Sequence, residues 1–196
     1  MPDLKHPQPD DAPTPVTIVI FGASGDLTKR KLIPALYSLA CDDLLSPQTR
    51  VIGMGRTDFS DQAFRQHLKE GVQDHARLTS GDLSENWDDF AQRISYLVGQ
   101  YDDPETYQRI GQRLQTHQQE SGAQGNHLFH MAIPPAVFRT VVGQLRRSGL
   151  NRSKEGWSRL IVEKPFGSDQ DSAQHLNTAI HEVFDEGQVF RIDHYL

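Results

Sequence analysis

The fold is decided by the stretch VTIVIFGASGDL, residues 16–27. Residues 16–21 are almost wholly apolar and mostly β-branched, which is typical of a central parallel strand covered on both faces. A glycine turn follows at once and a helical pattern follows the turn. This order brings backbone N–H groups and a helix amino end to a pyrophosphate in dinucleotide-binding proteins. Because Ser24 leads directly to Gly25, the spacing departs from G-x-G-x-x-G, and a structural turn without a ligand is the alternative.

A second strand pattern covers residues 50–55, and the residue that follows it predicts a coenzyme preference. NAD sites usually place a carboxylate here to bind the ribose hydroxyls. This chain instead has Arg56, whose guanidinium suits a 2′-phosphate. Taken alone, a single arginine at a strand end is more often an ordinary solvated charge. Together with the glycine turn it predicts NADP rather than NAD.

Strand and helix patterns alternate along the rest of the chain. Further helices are expected at residues 61–72 after a cap at Ser60, at 87–97, at 104–114 after a cap at Asp103, at 135–145 and at 169–184 after a cap at Ser168. Further strands are expected at 127–133, 160–162 and 188–192. In the first helix, the buried face is expected to carry Leu32, Leu36 and Leu39, with Pro34 in an early turn or at a kink. The alternation predicts an α/β fold, a Rossmann-like doubly wound, mostly parallel sheet with helices on both faces.

Composition narrows the class of protein. A net charge of −6 argues against a general electrostatic grip on nucleic acid or an anionic membrane. No apolar run approaches the roughly 20 residues of a membrane helix. Cys41 is the single cysteine, so the chain is expected in a reducing compartment, the cytoplasm. Five prolines among residues 1–15 predict a disordered leader before a single domain at 16–196.

Two polar segments follow the last two strand patterns. EKPFG, residues 163–167, offers the three N–H donors of Lys164 to phosphate or hydroxyl oxygens. RIDHYL, residues 191–196, presents a carboxylate, an imidazole and a phenol in succession. Taken alone, each has an ordinary alternative, a solvated lysine in a turn and a structural Asp–His hydrogen bond. His127 and His130 point to opposite faces of a strand, so no metal site is predicted.

Four segments together resemble the glucose-6-phosphate dehydrogenases: GASGDLTKRKLIPALYSL from Gly22, the strand that ends before Arg56, IVEKPFG and RIDHYL, in that order. The resemblance spans residues 16–196 and includes GQYDD from Gly99 and AIPP from Ala132. It implies an NADP-dependent oxidoreductase of glucose metabolism. The reaction would oxidise glucose 6-phosphate to 6-phosphogluconolactone, with hydride transfer to NADP, as the first step of the oxidative pentose phosphate pathway.

The resemblance also implies roles for individual residues. The pyrophosphate would be wrapped by Gly22, Ala23, Ser24, Gly25, Asp26, Leu27, Thr28 and Lys29. Arg56 would hold the 2′-phosphate, and Lys164 would contact both coenzyme and substrate, with Lys31 near the substrate. His194 and Tyr195 would bind the sugar phosphate. Asp193 would orient a base histidine that lies beyond this chain. No metal is implied.

In the full-length family a second domain carries that histidine, and the protein is expected to form a homo-oligomer. The chain as it stands is therefore expected to be the coenzyme domain, nearly inactive alone. The alternative is a stand-alone module that senses NADP or complements a separate second domain. A tyrosine–lysine oxidoreductase with a GASG turn is disfavoured, because no Y-x-x-x-K follows any of the tyrosines.

Overall fold

The computed structural model describes residues 13–76, 83–121, 125–164 and 170–192. Their strands form a six-stranded parallel sheet in the order β3-β2-β1-β4-β5-β6. The strands are β1 Thr17–Phe21, β2 Arg50–Gly55, β3 Ile94–Val98, β4 His127–Met131, β5 Ser158–Glu163 and β6 Val189–Ile192. The strand order reverses between β1 and β4, which opens a crevice at their carboxyl ends.

Helices connect the strands. They are α1 Ile33–Cys41, α2 Asp61–His75, α3 Leu83–Gln92, α4 Pro104–Ser121, α5 Pro135–Arg147 and α6 Gln170–His181. A π-helical turn, Thr28–Leu32, precedes α1, and a short 3₁₀ turn, Glu186–Gln188, precedes β6. The predicted Rossmann-like doubly wound sheet is confirmed. None of the helices in the described ranges combines the length and the apolar character needed to cross a membrane.

Both faces of the sheet are covered, which explains the unbroken apolar pattern of β1. Val19 and Phe21 point to a core shared with α4, α5 and α6. Ile18 and Ile20 point to a second core shared with α1, α2 and α3. Successive side chains of a strand alternate between faces, so a strand between two helical layers needs apolar residues at every position.

The predicted caps of two helices are present. Ser60 precedes α2, and its hydroxyl oxygen accepts a hydrogen bond of 3.1 Å from the N–H of Ala63. Asp103 precedes α4, and its carboxylate accepts one of 3.0 Å from the N–H of Glu105. Each cap satisfies an N–H that a helix leaves without an intrahelical partner.

The predicted helix over residues 87–97 is wrong in its second half. Helix α3 ends at Gln92, and Ile94–Val98 forms β3, in which Ile94 pairs with Val51 of β2. The apolar residues that suggested a single helix belong to two elements. The first of them lie on the buried face of α3, and the later ones lie in the buried strand β3. In a short apolar run, periodicity alone does not distinguish a helix from a strand. The β-branched and aromatic residues of β3 favour a strand.

The predicted buried face of the first helix is wrong at Leu39. Leu32 and Leu36 are half-buried against the second core. Ile33 and Tyr37 are buried, while Leu39 is 39% exposed. In the π-helical turn the N–H of Ile33 reaches the carbonyl of Thr28, five residues back. The buried face of α1 is set by Ile33 and Tyr37 at a spacing of four, with Leu32 and Leu36 at its edge and Leu39 outside it. Pro34 lies in the first turn of α1, as expected, where a missing N–H is tolerated.

Three buried or half-buried histidines predict that the protein loses stability in mild acid. Burial lowers the pKa of His127 to about 4, and it also lowers the pKa values of His117 and His67. Between pH 6.5 and 4 the unfolded chain therefore binds more protons than the folded chain, and stability falls as the pH falls through this window. We expect His127→Phe to remove about 2 kcal/mol of the stability lost between pH 7.5 and pH 5.

Urea unfolding of both proteins at the two pH values measures this difference. Equal losses of stability in the wild type and His127→Phe would contradict the expectation.

Candidate functional site

The glycine turn is tied to the neighbouring strand β2. The N–H groups of Gly22 and Ala23 both donate to the carbonyl oxygen of Met54, at 2.9 and 3.0 Å. The N–H of Gly25 donates to the carbonyl oxygen of Gly22 at 2.9 Å, which closes the turn. The backbone therefore reverses sharply at the end of β1, directly over the end of β2.

Gly22 also lies against β4, so a side chain is excluded there. Its φ of +83° is in the left-handed region, and a Cβ atom would lie 2.1 Å from the carbonyl oxygen of Ala132. Glycine alone meets both requirements without strain. This close approach places the turn in the crevice between β1 and β4.

A helical conformation begins at Asp26, immediately after the turn. The first N–H groups of a helix lack intrahelical partners and carry a partial positive charge. Here they follow a turn that lies in the crevice, so they suit an anionic group held there. The structure thus has the predicted order of elements, in which a strand is followed by a glycine turn and then by a helix.

Arg56 and Thr57 follow β2 and lie beside the turn. The hydroxyl of Thr57 donates to the hydroxyl oxygen of Ser24 at 3.1 Å. The guanidinium carbon of Arg56 lies 5.8 Å from the centre of the Tyr101 ring, within range of a cation–π interaction. Both Arg56 and Thr57 are exposed, so the guanidinium is accessible from solvent.

These residues line a groove with a volume of about 540 Å³. Its walls are formed by Gly22, Ser24, Gly25, Arg56, Thr57, Gln100, Tyr101, Ala132, Ile133 and Pro134. A second cavity of about 290 Å³ shares Gly25 and residues 132–134 with it, and is also lined by Asp26, Leu27, Glu163 and Lys164. We refer to the two cavities together as the groove. It runs from the end of β2, across β1 and β4, to the end of β5.

The groove includes residues whose role the sequence did not predict. Gln100 and Tyr101 follow β3, and their place at the carboxyl edge of the sheet was missed because residues 94–97 were assigned to a helix. The pKa of Tyr101 is raised by burial, an effect that nearby Arg56 opposes. A correct assignment of β3 would have found both residues, since ligands collect at strand carboxyl ends.

A buried contact between a histidine and a glutamate adjoins the Lys164 end of the groove. Nε2 of His130 lies 3.2 Å from a carboxylate oxygen of Glu163, and the two side chains are 7% and 10% exposed. His130 pairs with Ile161 across β4 and β5, and Glu163 lies two residues further along the same face. Sequence spacing gave no sign of this contact, because it depends on the register between two strands.

The predicted lysines differ in their surroundings. The ammonium of Lys29 forms an ion pair of 2.7 Å with Glu70 on α2, and this hydrogen bond lowers the pKa of the Glu70 carboxyl. Lys31 is exposed in the π-helical turn. Lys164 is exposed directly after β5, and its N–H donates to the carbonyl oxygen of Ile192 at 3.2 Å.

Several predicted features lie outside the described residues. These are the leader over residues 1–12, the EKPFG residues 165–167, the helix cap at Ser168, and the proposed substrate residues Asp193, His194 and Tyr195.

The geometry of the turn predicts that Gly22→Ala destabilises the protein by about 3 kcal/mol or more, because it adds left-handed strain to a backbone clash. The matched control is Gly143→Ala. Gly143 lies inside α5, and an added Cβ there meets no atom within 4 Å. The control is expected to gain about 0.5–1 kcal/mol from helix propensity. Urea unfolding at neutral pH compares the two, and a Gly22→Ala variant as stable as wild type contradicts the assigned turn geometry.

Known proteins share these features. The profile of the family described as "Glucose-6-phosphate dehydrogenase, NAD binding domain" matches residues 19–196. A glucose-6-phosphate 1-dehydrogenase 2 from Mycobacterium bovis is 43% identical over 183 residues, which cover 93% of this chain and 35% of that protein. "Glucose-6-phosphate 1-dehydrogenase 6, cytoplasmic" from Arabidopsis thaliana is 37% identical over 186 residues, covering 92% of this chain and 36% of that protein.

A solved structure gives the same result. A glucose-6-phosphate dehydrogenase in complex with its substrate glucose-6-phosphate superposes with a TM-score of 0.84 at 34% identity, over 93% of this chain and 37% of that one. The chain thus spans about a third of the length of the relatives it matches. The family profile covers the glycine turn, Arg56 and Lys164. The chain therefore belongs to the glucose-6-phosphate dehydrogenase family, and residues 19–196 correspond to the domain of that family that binds a nicotinamide dinucleotide.

Proposed function

We propose that this chain, over residues 16–196, forms the NADP-binding domain of an enzyme that oxidises glucose 6-phosphate to 6-phosphogluconolactone. The observation that carries the proposal is the meeting of the glycine turn and Arg56 in one groove at the point where the strand order reverses. Open α/β sheets bind dinucleotides at this point. The family membership supports the choice of reaction.

The groove has features that fit a dinucleotide. Gly22 allows the turn to lie directly against Ala132 after β4, and the helix that begins at Asp26 follows this turn at the crevice. In the proposal, residues 22–29 surround the pyrophosphate through backbone N–H groups. The ion pair with Glu70 keeps the ammonium of Lys29 beside α2. Among residues 22–29, the Lys29 side chain therefore has the least support for a contact with the pyrophosphate.

Arg56 supports NADP over NAD. It directly follows β2, where NAD-binding domains carry an acidic residue for the ribose hydroxyls. A guanidinium can bind two phosphate oxygens at once, and it repels no part of the 2′-phosphate. The neighbouring Tyr101 ring restrains its position. We propose that Arg56 binds the 2′-phosphate and that the adenine lies against the neighbouring Tyr101 ring.

The substrate end of the groove is proposed at β5. Lys164 lines the cavity that adjoins the glycine turn, so one ammonium could contact both coenzyme and substrate. Lys31, His194 and Tyr195 are proposed to bind the substrate, and Asp193 to orient a base histidine. Among the described residues that line the groove there is no histidine. In the proposed reaction, the C1 hydroxyl gives its proton to that base and C1 gives a hydride to the nicotinamide.

We further propose that the protein acts in the cytoplasm as a homo-oligomer. The cytoplasmic location rests on the single cysteine and on the name of the Arabidopsis relative. The homo-oligomer rests on the family resemblance.

The assignment of Arg56 predicts a selective loss of NADP binding. Removing a charge-assisted contact to phosphate costs about 2–3 kcal/mol, so Arg56→Ala is expected to weaken NADP binding by roughly 30- to 100-fold. NAD binding should change less than about threefold, because NAD has no 2′-phosphate. Isothermal titration calorimetry with each coenzyme measures both affinities.

The matched control is Arg146→Ala. Arg146 is exposed in the last turn of α5, at the end opposite the groove, and its loss should leave both affinities unchanged. Wild-type protein that binds NAD as tightly as NADP, or an Arg56→Ala variant that weakens both equally, would overturn the assignment.

A further inference from the structure

Tyr96 connects the two loops of the groove from below. It lies on β3, and its hydroxyl donates to the carbonyl oxygen of Thr57 at 3.0 Å. Thr57 in turn donates its side-chain hydroxyl to Ser24 in the glycine turn at 3.1 Å. One phenol is therefore linked to both the loop after β2 and the turn after β1. The carbonyl oxygen of Thr57 also accepts from the N–H of Phe59 at 3.0 Å, so this loop is compact.

The Tyr96 side chain has little freedom to move. It is 4% exposed, and its ring centre lies 4.4 Å from that of Phe64 and 5.6 Å from that of Phe59. At its backbone, the N–H of Tyr96 donates to the carboxylate of Asp61 at 2.6 Å. Aromatic packing on the ring and a charge-assisted bond at the backbone fix the position of the hydroxyl.

Gly55 makes the space that the hydroxyl occupies. A Cβ atom at Gly55 would lie 2.6 Å from the Tyr96 hydroxyl oxygen and 3.1 Å from the Ser24 hydroxyl oxygen. The phenol thus lies beneath the last residue of β2, immediately before Arg56. Burial raises the pKa of Tyr96, an effect that the hydrogen bond with Ser24 opposes. The phenol remains protonated at neutral pH and can donate its proton to a carbonyl.

We propose that Tyr96 is a positioning residue for coenzyme selectivity, which fixes the Arg56–Thr57 corner relative to the glycine turn. The inference rests on the proposed function, because it concerns the same 2′-phosphate site. Tyr96 is not among the residues that line the groove, so it acts through Arg56 and Thr57.

The strength of the proposed 2′-phosphate contact depends on the alignment of Arg56. A guanidinium binds phosphate strongly only when its N–H groups are aligned with the oxygens. Arg56 is exposed and follows the last residue of β2, so its backbone position depends on the contacts of Gly55 and Thr57. Without the phenol, the Thr57 carbonyl loses a donor and the loop gains freedom. The pyrophosphate still binds the turn, whereas the 2′-phosphate contact weakens.

Tyr96→Phe tests the inference, since it removes the hydroxyl and keeps the ring. We expect NADP binding to weaken about five- to tenfold in calorimetry, as for the loss of one hydrogen bond that aligns a charged contact, and NAD binding to change less than about twofold. In the Arg56→Ala background, Tyr96→Phe should change NADP binding less than about twofold. This loss of effect is the sign of action through Arg56.

Tyr37→Phe is the matched control. Tyr37 is a buried tyrosine of the same core on α1, and it does not line the groove, so both affinities should match the wild type. The inference would be overturned if Tyr96→Phe had no effect on binding, or if it weakened the binding of both coenzymes equally. It would also be overturned if the effect of Tyr96→Phe added fully to that of Arg56→Ala.

A second measurement separates this inference from the proposed function. Amide hydrogen exchange without coenzyme should accelerate at residues 56–59 in Tyr96→Phe and remain unchanged there in Tyr37→Phe. If the wild type bound neither coenzyme, the proposed function would fail, and faster exchange at 56–59 would still support the link from Tyr96 to this loop. Unchanged exchange there would overturn that link.

Discussion

The close approach of Gly22 to two neighbouring strands is the constraint on which the rest of the site depends. Its N–H is bound to the end of β2, and its Cα faces the carbonyl oxygen of Ala132 after β4. No residue with a side chain can hold this position without strain. Because the turn is compressed against both strands, the following helix starts at the crevice, and the loops that carry Arg56 and Lys164 open at the same edge.

The contact between His130 and Glu163 places two polar side chains in the buried part of the sheet. Burying two polar side chains seldom adds net stability, because each group loses its hydration. Here both groups lie on strands that carry mostly apolar residues, next to Lys164 at the groove. Nδ1 of His130 has no hydrogen-bond partner among the described residues. A buried polar pair at the edge of a groove departs from the apolar pattern of a core, and such departures are typical of functional sites.

Much of the fold could be predicted from the sequence because its signals are local. The β1 run, the glycine turn, the caps at Ser60 and Asp103 and the end of β2 before Arg56 each depend on a few adjacent residues. The failures have a common physical cause. Leu39 was counted on the buried face of α1, which Ile33 and Tyr37 define, and β3 was hidden because its apolar spacing continued that of α3. Neither can be seen by counting at a fixed period.

The same distinction applies within the groove. Contacts that reach a ligand follow strand ends, so a residue such as Arg56 can be found from its place in the sequence. Contacts that hold such a residue in place join elements far apart along the chain, as Tyr96 on β3 joins Thr57 after β2 and Ser24 after β1. Selectivity for a phosphate depends on both, because charge gives the attraction and alignment gives the strength. In the proposed site, a replacement at Arg56 alone would change the charge while the hydrogen bond from Tyr96 to Thr57 remains. We therefore expect that coenzyme preference can be altered there without rebuilding the backbone.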